Sequence, residues 1–444
     1  MTASLVCLVD CGGTISMAPL QGVAKSGQPA LDFKSLAFAG GEHNHNKLSR
    51  DLLELEVEPK FLDQDSSDEV PSDWISIARR VARKANEEAV EGIVITHGTD
   101  SAAYLSSALR HLLKNQAIPV TITGAQVPAR NEDGSANYDS DAFQNTQDAV
   151  FVAGFSDIAE PTITFSGEVF SSENVRKERA WHKAAYKNLS AVTSIAGVKG
   201  SNLFLDLKRS DYQKRPEYNY RNTKVDAAGL DRKIARITVE PGLKQEFLSS
   251  CLERVDGAVL ATLGGGNVTT KVKLTEGGKV EYDPESLIPP IIDAARQGKP
   301  VIVCTSAEGP TDISTGYELG HQLLLAGFSN REHGLVANVM TGGHFIPEFA
   351  YVRLHYLLAH WKELQKIALE EGVEAENLRH ALFVSGTKFR HYLSLKAYEQ
   401  KTGIKVPRED LLFGNCIESA ARKCALLQKP AAHRKEALEV PALG

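Results

Sequence analysis

The chain has no Cys-x-x-Cys pair, and its six cysteines (Cys7, Cys11, Cys251, Cys304, Cys416 and Cys424) are scattered without metal-ligand spacing. Reduced thiols in a cytoplasmic protein are the simplest account. A long basic run is also missing. With 50 Lys and Arg against 56 Asp and Glu, the formal net charge is -6, which argues against nucleic acid or an anionic membrane as the main partner and favours a small-molecule substrate. The amino terminus lacks the charged leader and longer apolar stretch of a secretory signal, and the run Leu5 to Val9 is too short to span a bilayer, so it reads as a first strand. There is no internal repeat or low-complexity tract. His43 and His45, in Glu42-His43-Asn44-His45-Asn46, have no strong third ligand pattern beside them, so no metal and no cofactor is expected.

What the sequence does contain is an ordinary globular composition, 42% hydrophobic and 24% charged over 444 residues, enough for two or three domains. Its most informative stretch is Gly92 to Gln126, GIVITHGTDSAAYLSSALRHLLKNQAIPVTITGAQ: an apolar strand, a Thr-Asp turn, a helix and a second apolar strand. In α/β proteins, ligands bind outside the carboxyl ends of parallel strands, which is where this unit places Thr99 and Asp100. A second such turn follows Leu5 to Val9, where Asp10-Cys11-Gly12-Gly13-Thr14-Ile15 lets the backbone bend sharply and leaves Thr14 at a strand end. Taken singly, each turn also reads as a plain loop or a helix cap, with Thr99 or Asp100 satisfying free N–H groups. His97 reads as structural support for its turn. Cys11, beside Thr14, reads as a buried strand cysteine.

Apolar runs at Leu5 to Val9, Gly92 to Thr96, Val120 to Thr123, Thr162 to Phe165, Ala258 to Leu263 and Val301 to Thr305 alternate with helical patterns such as Ser72 to Ala89 and Ala103 to Lys114. Short continuous apolar strands separated by amphipathic helices predict an α/β fold with mainly parallel sheets covered by helices. The polar stretch Lys208 to Lys224 interrupts the pattern. The expected organisation is an amino-terminal α/β domain over 1–207, an interdomain connection over 208–224, a smaller α/β domain over 225–358, and a carboxyl-terminal helical extension over 359–444. That extension carries apolar positions such as Leu364, Ile367 and Ala368 among charges, the pattern of a packing or oligomerisation appendage.

Several motifs stand in one order over residues 4–358: Cys11 to Ile15; Asp65-Ser66-Ser67-Asp68 before Trp74; Thr96 to Ser101; Thr123-Gly124-Ala125-Gln126; Asp133-Gly134; Val169 to Lys177; Leu263 to Asn267; and Ile346 to Leu354. Together they resemble the asparaginase/glutaminase family, most closely its cytoplasmic type I branch. The resemblance implies a threonine-dependent amidohydrolase with two α/β domains and no cofactor, assembled as a homodimer or homotetramer. It implies that Thr14 and Thr99 carry nucleophilic attack and proton handling, with backbone N–H groups holding the oxyanion. Lys177 would activate Thr99, because Asn174-Val175-Arg176-Lys177 fills the family's Asp-Val-Thr-Lys pattern; a one-residue slip would bring Glu178 there instead. Asp100 matches the position that meets a substrate α-ammonium, and Ser66 and Ser67 those that donate to its α-carboxylate. Ser66 and Ser67 also read as part of a helix start, with Ser72 or Asp73 capping the helix after Pro71. Asn267 matches a position that in several relatives reaches the neighbouring subunit's site, and also reads as part of a plain Gly-rich turn.

One departure stands out. The family carries a tyrosine on a mobile loop about ten residues after the first threonine, yet no tyrosine occurs between Thr14 and Tyr104; over Ala18 to Asp32 the nearest hydroxyl is Ser26. Tyr138 to Phe143 and Asn330 to Gly343 are insertion-like. The leading expectation is hydrolysis of L-asparagine to L-aspartate and ammonia. Glutamine or a substituted asparagine, a catalytically silent amino-acid binder, and an ammonia-supplying amidotransferase subunit stay open beside it.

Overall fold

The computed structural model describes residues 3–362, apart from 21–22, 26–30, 39–51, 63, 190–192, 200–203, 211, 216–220, 228–229, 275–279, 312–318, 320–338 and 344. Ser26, His43, His45, Cys416, Cys424, most of Asn330 to Gly343 and the extension after residue 362 lie outside the described residues.

Eight strands form the larger sheet: β1 (Ser4–Asp10), β2 (Leu53–Val57), β3 (Val90–Thr96), β4 (Val120–Thr123), β5 (Pro161–Phe165), β6 (Glu168–Ser171), β7 (Ala196–Lys199) and β8 (Phe204–Leu207). Their order is β8-β7-β6-β5-β4-β3-β1-β2. The five strands from β2 to β5 run parallel, and β5 to β8 pair antiparallel. Alternate residues of β1 face opposite ways, as a pleated strand requires. Cys7 and Val9 join Trp74, Ile77 and Val81 of α2 (Pro71–Ala85) and Leu105 and Leu109 of α3 (Ala102–Leu112). Val6 and Leu8 join Phe33 and Leu36 of α1 (Phe33–Phe38) and Ala149 and Ala153 of α4 (Ala142–Phe155). The central strands are buried on both faces, which is why their sequences run apolar without alternation.

The second sheet, β9 (Ile234–Thr238), β10 (Gly257–Thr262), β11 (Val301–Thr305) and β12 (Val339–Thr341), is parallel throughout in that order. Helices α5 (Gln245–Glu253) and α6 (Ile288–Arg296) bury Leu248, Leu252, Ile288, Ile291 and Ile292 against it. On the opposite face, Val259 and Ile302 share a core with Ala350, Leu354 and Leu357 of α7 (Pro347–Ala359) and with Leu105 and Leu109 of α3. Helix α7 thus joins the second sheet to the first through one continuous apolar core.

Three local readings need correction. Helix α2 begins at Pro71, with Val70 in the cap position; Asp73 is no cap but reaches back to accept from the Val70 N–H at 2.9 Å. It stops at Ala85 instead of Ala89, and the side chain of the cap residue Asn86 binds the Thr223 backbone, accepting from its N–H at 2.7 Å and donating to its C=O at 2.9 Å. Helix α3 stops at Leu112, since Leu113 and Lys114 pair antiparallel with Lys224 and Val225. The described part of 208–224 is therefore laid along the first unit. Within it, Tyr212 donates to Asp157 at 2.8 Å and the Gln213 N–H to buried Glu160 at 2.9 Å.

Candidate active site

The site lies at the carboxyl ends of the adjacent parallel strands β1, β3 and β4. Asp10, the last residue of β1 and 2% exposed, organises the first turn: one carboxylate oxygen accepts from the Gly12 N–H at 3.0 Å, the Ser16 hydroxyl at 2.9 Å and the Thr96 hydroxyl of β3 at 2.8 Å. Gly13, at φ 81°, approaches the next turn so closely that a Cβ there would run into the Gly98 amide. Gly98 in turn leaves no room for a side chain beside Ser66. Two glycines therefore let three loops converge: the one carrying Thr14, the one carrying Ser66 and Ser67, and the one carrying Thr99 and Asp100.

Neither Thr99 nor Asp100 caps α3; the cap residue is Ser101, whose hydroxyl instead donates to the Ser66 carbonyl at 2.7 Å. Their side chains meet Lys177, whose Nζ is 2.8 Å from Thr99 Oγ1 and 2.7 Å from Asp100 Oδ1. Thr99 is 6% exposed, whereas the Asp100 side chain is 65% exposed, so the carboxylate stands at the mouth and the hydroxyl at the floor. Lys177 arrives on a two-stranded hairpin, Val175–Lys177 with Tyr186–Asn188, in the register Lys177 opposite Tyr186. The Tyr186 hydroxyl donates to the Thr99 carbonyl at 2.6 Å. Burial first, and then the Asp100 charge, push that phenol well above its ordinary value.

Ser66 is buried, and Ser67 turns toward Asp65, which accepts from its hydroxyl and, at 2.8 Å, from its N–H. Those two bonds, with a smaller contribution from the Lys177 charge, lower the Asp65 carboxyl below the usual range. His97 braces the turn: its Nδ1 is 2.8 Å from the Gly98 carbonyl and its Nε2 2.7 Å from Glu69, both side chains being buried. Cys11 is 1% exposed, and burial drives its thiol well above the ordinary value, so it holds no reactive thiolate. Asn267 stands elsewhere in the chain. It follows β10 and closes the Leu263–Asn267 turn through its backbone, and among the described residues no hydrogen bond joins it to the threonines. No group of three metal-ligating side chains occurs among the described residues.

Three supporting residues, Tyr186, Asp141 and Asn145, carry no signal in the sequence motifs, and Asp10 stands in the first turn without a role assigned to it there. Asp141 accepts from the Gln126 and Val127 N–H groups, both at 3.0 Å, while Asn145 donates to the Gly124 carbonyl at 3.0 Å and accepts from the Ser166 N–H at 2.9 Å. They fix the loop after β4. The insertion-like Tyr138 to Phe143 is the lead into α4, with exposed Tyr138 stacked on Phe143.

Residues 5–209 match the family model described as asparaginase, N-terminal. The chain is 30% identical over 374 residues to the L-asparaginase of Thermococcus kodakarensis, covering 83% of this chain and 98% of that one. It belongs to the asparaginase family. Two solved structures agree in fold: the thermostable L-asparaginase from Thermococcus kodakarensis, with a TM-score of 0.61 at 29% identity over 82% of this chain and 95% of that one, and L-asparaginase I from Vibrio cholerae, with 0.60 at 26% over 84% and 98%. A glutamyl-tRNA(Gln) amidotransferase component from Pyrococcus abyssi is 28% identical over 82% of this chain and 74% of its own length. As a family member the protein is an amidohydrolase that acts on an amide C–N bond. No helix among the described residues is long and apolar enough to cross a membrane.

Proposed function

We propose that this amidohydrolase converts L-asparagine to L-aspartate and ammonia by threonine nucleophilic catalysis. The observation that carries the reading is the contact of Lys177 with both Thr99 and Asp100 at a strand end that the Thr14 turn abuts. A threonine hydroxyl is a weak nucleophile until a base takes its proton or a positive charge stabilises its anion, and an amine 2.8 Å away is placed to do either. In the proposed cycle a threonine Oγ adds to the carboxamide carbon and backbone N–H groups take up the oxyanion. The C–N bond breaks as nitrogen receives a proton and leaves as ammonia, and water then hydrolyses the ester. Thr14 and Thr99 share attack and proton handling. Asp100, exposed at the mouth, meets the substrate α-ammonium, and Ser66, with Ser67 once its hydroxyl turns from Asp65, donates to the substrate α-carboxylate.

The reading places the enzyme in the cytoplasm as a homodimer or homotetramer, with Asn267 contributed to a neighbouring copy's site. A second reading, favoured by the similarity to an amidotransferase component and by the missing lid tyrosine, is release of ammonia from glutamine or a substituted asparagine. Ammonia release from L-asparagine, D-asparagine, L-glutamine and substituted amides, with Thr99→Ala beside the wild type, decides between them. Release from L-asparagine that Thr99→Ala abolishes is expected; a tenfold preference for another amide moves the assignment to that amide. Full turnover in folded Thr99→Ala would overturn the threonine mechanism.

A further inference from the structure

The lid tyrosine is absent from the first loop, but a phenol lies on the other side of the site. Tyr186 is the cross-strand partner of Lys177, and side chains opposite one another in an antiparallel pair share a face. Both address the same turn from different sides: Lys177 takes the Thr99 hydroxyl at 2.8 Å, and Tyr186 donates to the Thr99 carbonyl at 2.6 Å. We propose that Tyr186 is a positioning residue that fixes the Thr99–Asp100 peptide, so that Thr99 Oγ1 faces the Lys177 amine.

Three observations support this. The ring is held edge-on by Phe165 at a centroid distance of 5.0 Å and is flanked by Phe170 at 6.4 Å, so the hydroxyl has little freedom to leave the carbonyl. Burial keeps the phenol protonated, which makes it a constant donor and excludes it as a proton acceptor in turnover. The carbonyl it holds belongs to the residue whose side chain meets the lysine, and the next residue, Asp100, meets the same lysine. Rotation of the Thr99–Asp100 peptide would move both partners of Lys177 together. Tyr186 therefore acts through Thr99 and does not touch substrate.

The inference rests on the proposed amide hydrolysis, and the test separates the two. Tyr186→Phe keeps the ring and removes the hydroxyl. Its kcat for the best amide is expected to fall about 10- to 100-fold, the scale of a misplacement near 1 Å, with KM within threefold and the melting temperature lowered only by the one lost buried hydrogen bond. A purely structural role would lower the melting temperature alike but leave kcat per folded molecule unchanged, so kcat within twofold of wild type overturns the proposal. Phe165→Leu trims the ring support but keeps the hydroxyl; a smaller fall in its kcat than in that of Tyr186→Phe is expected, and a larger one overturns the proposal. Crystal structures of wild type and Tyr186→Phe give a readout that needs no turnover. Loss of the Lys177–Thr99 contact in the variant supports the positioning role, and its retention refutes it. Absence of Thr99-dependent ammonia release by wild type refutes the proposed reaction alone, and the structures then decide the role of Tyr186.

Discussion

Replacing Asp10 is the sharpest test of how the fold builds the site. One oxygen of this buried carboxylate accepts from a backbone amide and two hydroxyls. In Asp10→Ala the two hydroxyls can rotate in search of other acceptors, but the Gly12 N–H is fixed by its backbone. A buried donor left without a partner costs about 1–3 kcal/mol, so three of them set a range of about 3–6 kcal/mol once partial rescue of the hydroxyls is counted. Asp10→Asn keeps an acceptor oxygen and loses the charge that strengthens each bond, for which about 1–2 kcal/mol is expected. Urea titration of the three proteins gives these differences as shifts in midpoint at constant slope. Because the Gly12–Gly13–Thr14 turn hangs from the same oxygen, ammonia release by folded Asp10→Ala should fall about 100-fold. An alanine variant within about 1 kcal/mol of wild type and fully active would refute the reasoning: the turn would then hold its shape through the Gly13–Gly98 contact alone.

Two further predictions concern groups away from the threonines. Glu348, 6% exposed on α7, binds Arg176 of the Lys177 hairpin at 3.0 Å and Arg236 of β9 at 3.0 Å; Glu348→Ala leaves two guanidinium groups short of a partner and should cost about 3 kcal/mol, the lower end for a broken buried pair because both arginines keep some exposure. Thermal melts check this, and a double variant Arg176→Met with Glu348→Met that is no more stable than Glu348→Ala would sink the assignment of the loss to unpaired charge. Asp148, 1% exposed on α4, has its carboxyl pushed by burial from 3.8 up to about 7. Its folded value lies above the unfolded one, so its contribution is fully present below about pH 4 and is lost as pH rises through about 7, with a total on the order of 4 kcal/mol. Asp148→Asn should therefore gain on wild type between pH 4 and pH 8, and a stability difference that stays constant across that range would contradict the shift.

The strands that are legible in the sequence are those buried on both faces. Val120 to Thr123 and Val301 to Thr305 have the same bounds in the fold, and β1, β3, β5 and β10 differ by only one or two residues at their ends. β2, Leu-Glu-Leu-Glu-Val, is an edge strand whose charges alternate with its apolar residues, and it carries no continuous run. The antiparallel end of the sheet is harder to read although a local signal exists: Ser166 and Gly167, at φ 50° and 78°, form the two-residue turn between β5 and β6 that hairpin twist favours. In the site, the threonines and Lys177 stand out through ordered motifs. Tyr186 does not, because its partner lies 87 positions away, and Asp10, beside its local partners Gly12 and Ser16, is tied to the second turn only through Thr96, 86 positions away. A carboxylate after an apolar run and a tyrosine among lysines are not tied to the Thr99 turn until the fold supplies Thr96 and the Thr99 carbonyl.

The two halves of the site are held by different means, and this bears on how it responds to change. The loops of Thr14, Ser66 and Thr99 meet through close glycine contacts at the ends of parallel strands, Gly13 against the Gly98 backbone and Gly98 against the Ser66 side chain. Lys177 comes from outside that sheet on a short hairpin, and its neighbour Arg176 is tied through Glu348 to α7 and, by way of Arg236, to the second sheet. Arg236 also donates to the Tyr104 hydroxyl of α3, the helix that begins just after Asp100. A disturbance at Glu348 thus has a direct route to the lysine, whereas it reaches Thr99 less directly, through Tyr186 of the hairpin and through α3, whose Leu105 and Leu109 share a core with Val259 and Ile302. Substitutions around Glu348 should accordingly lower kcat through the activating amine while leaving substrate affinity, set by Asp100, Ser66 and Ser67, close to wild type; an equal loss in both would mean that the hairpin and the binding loops move as one body.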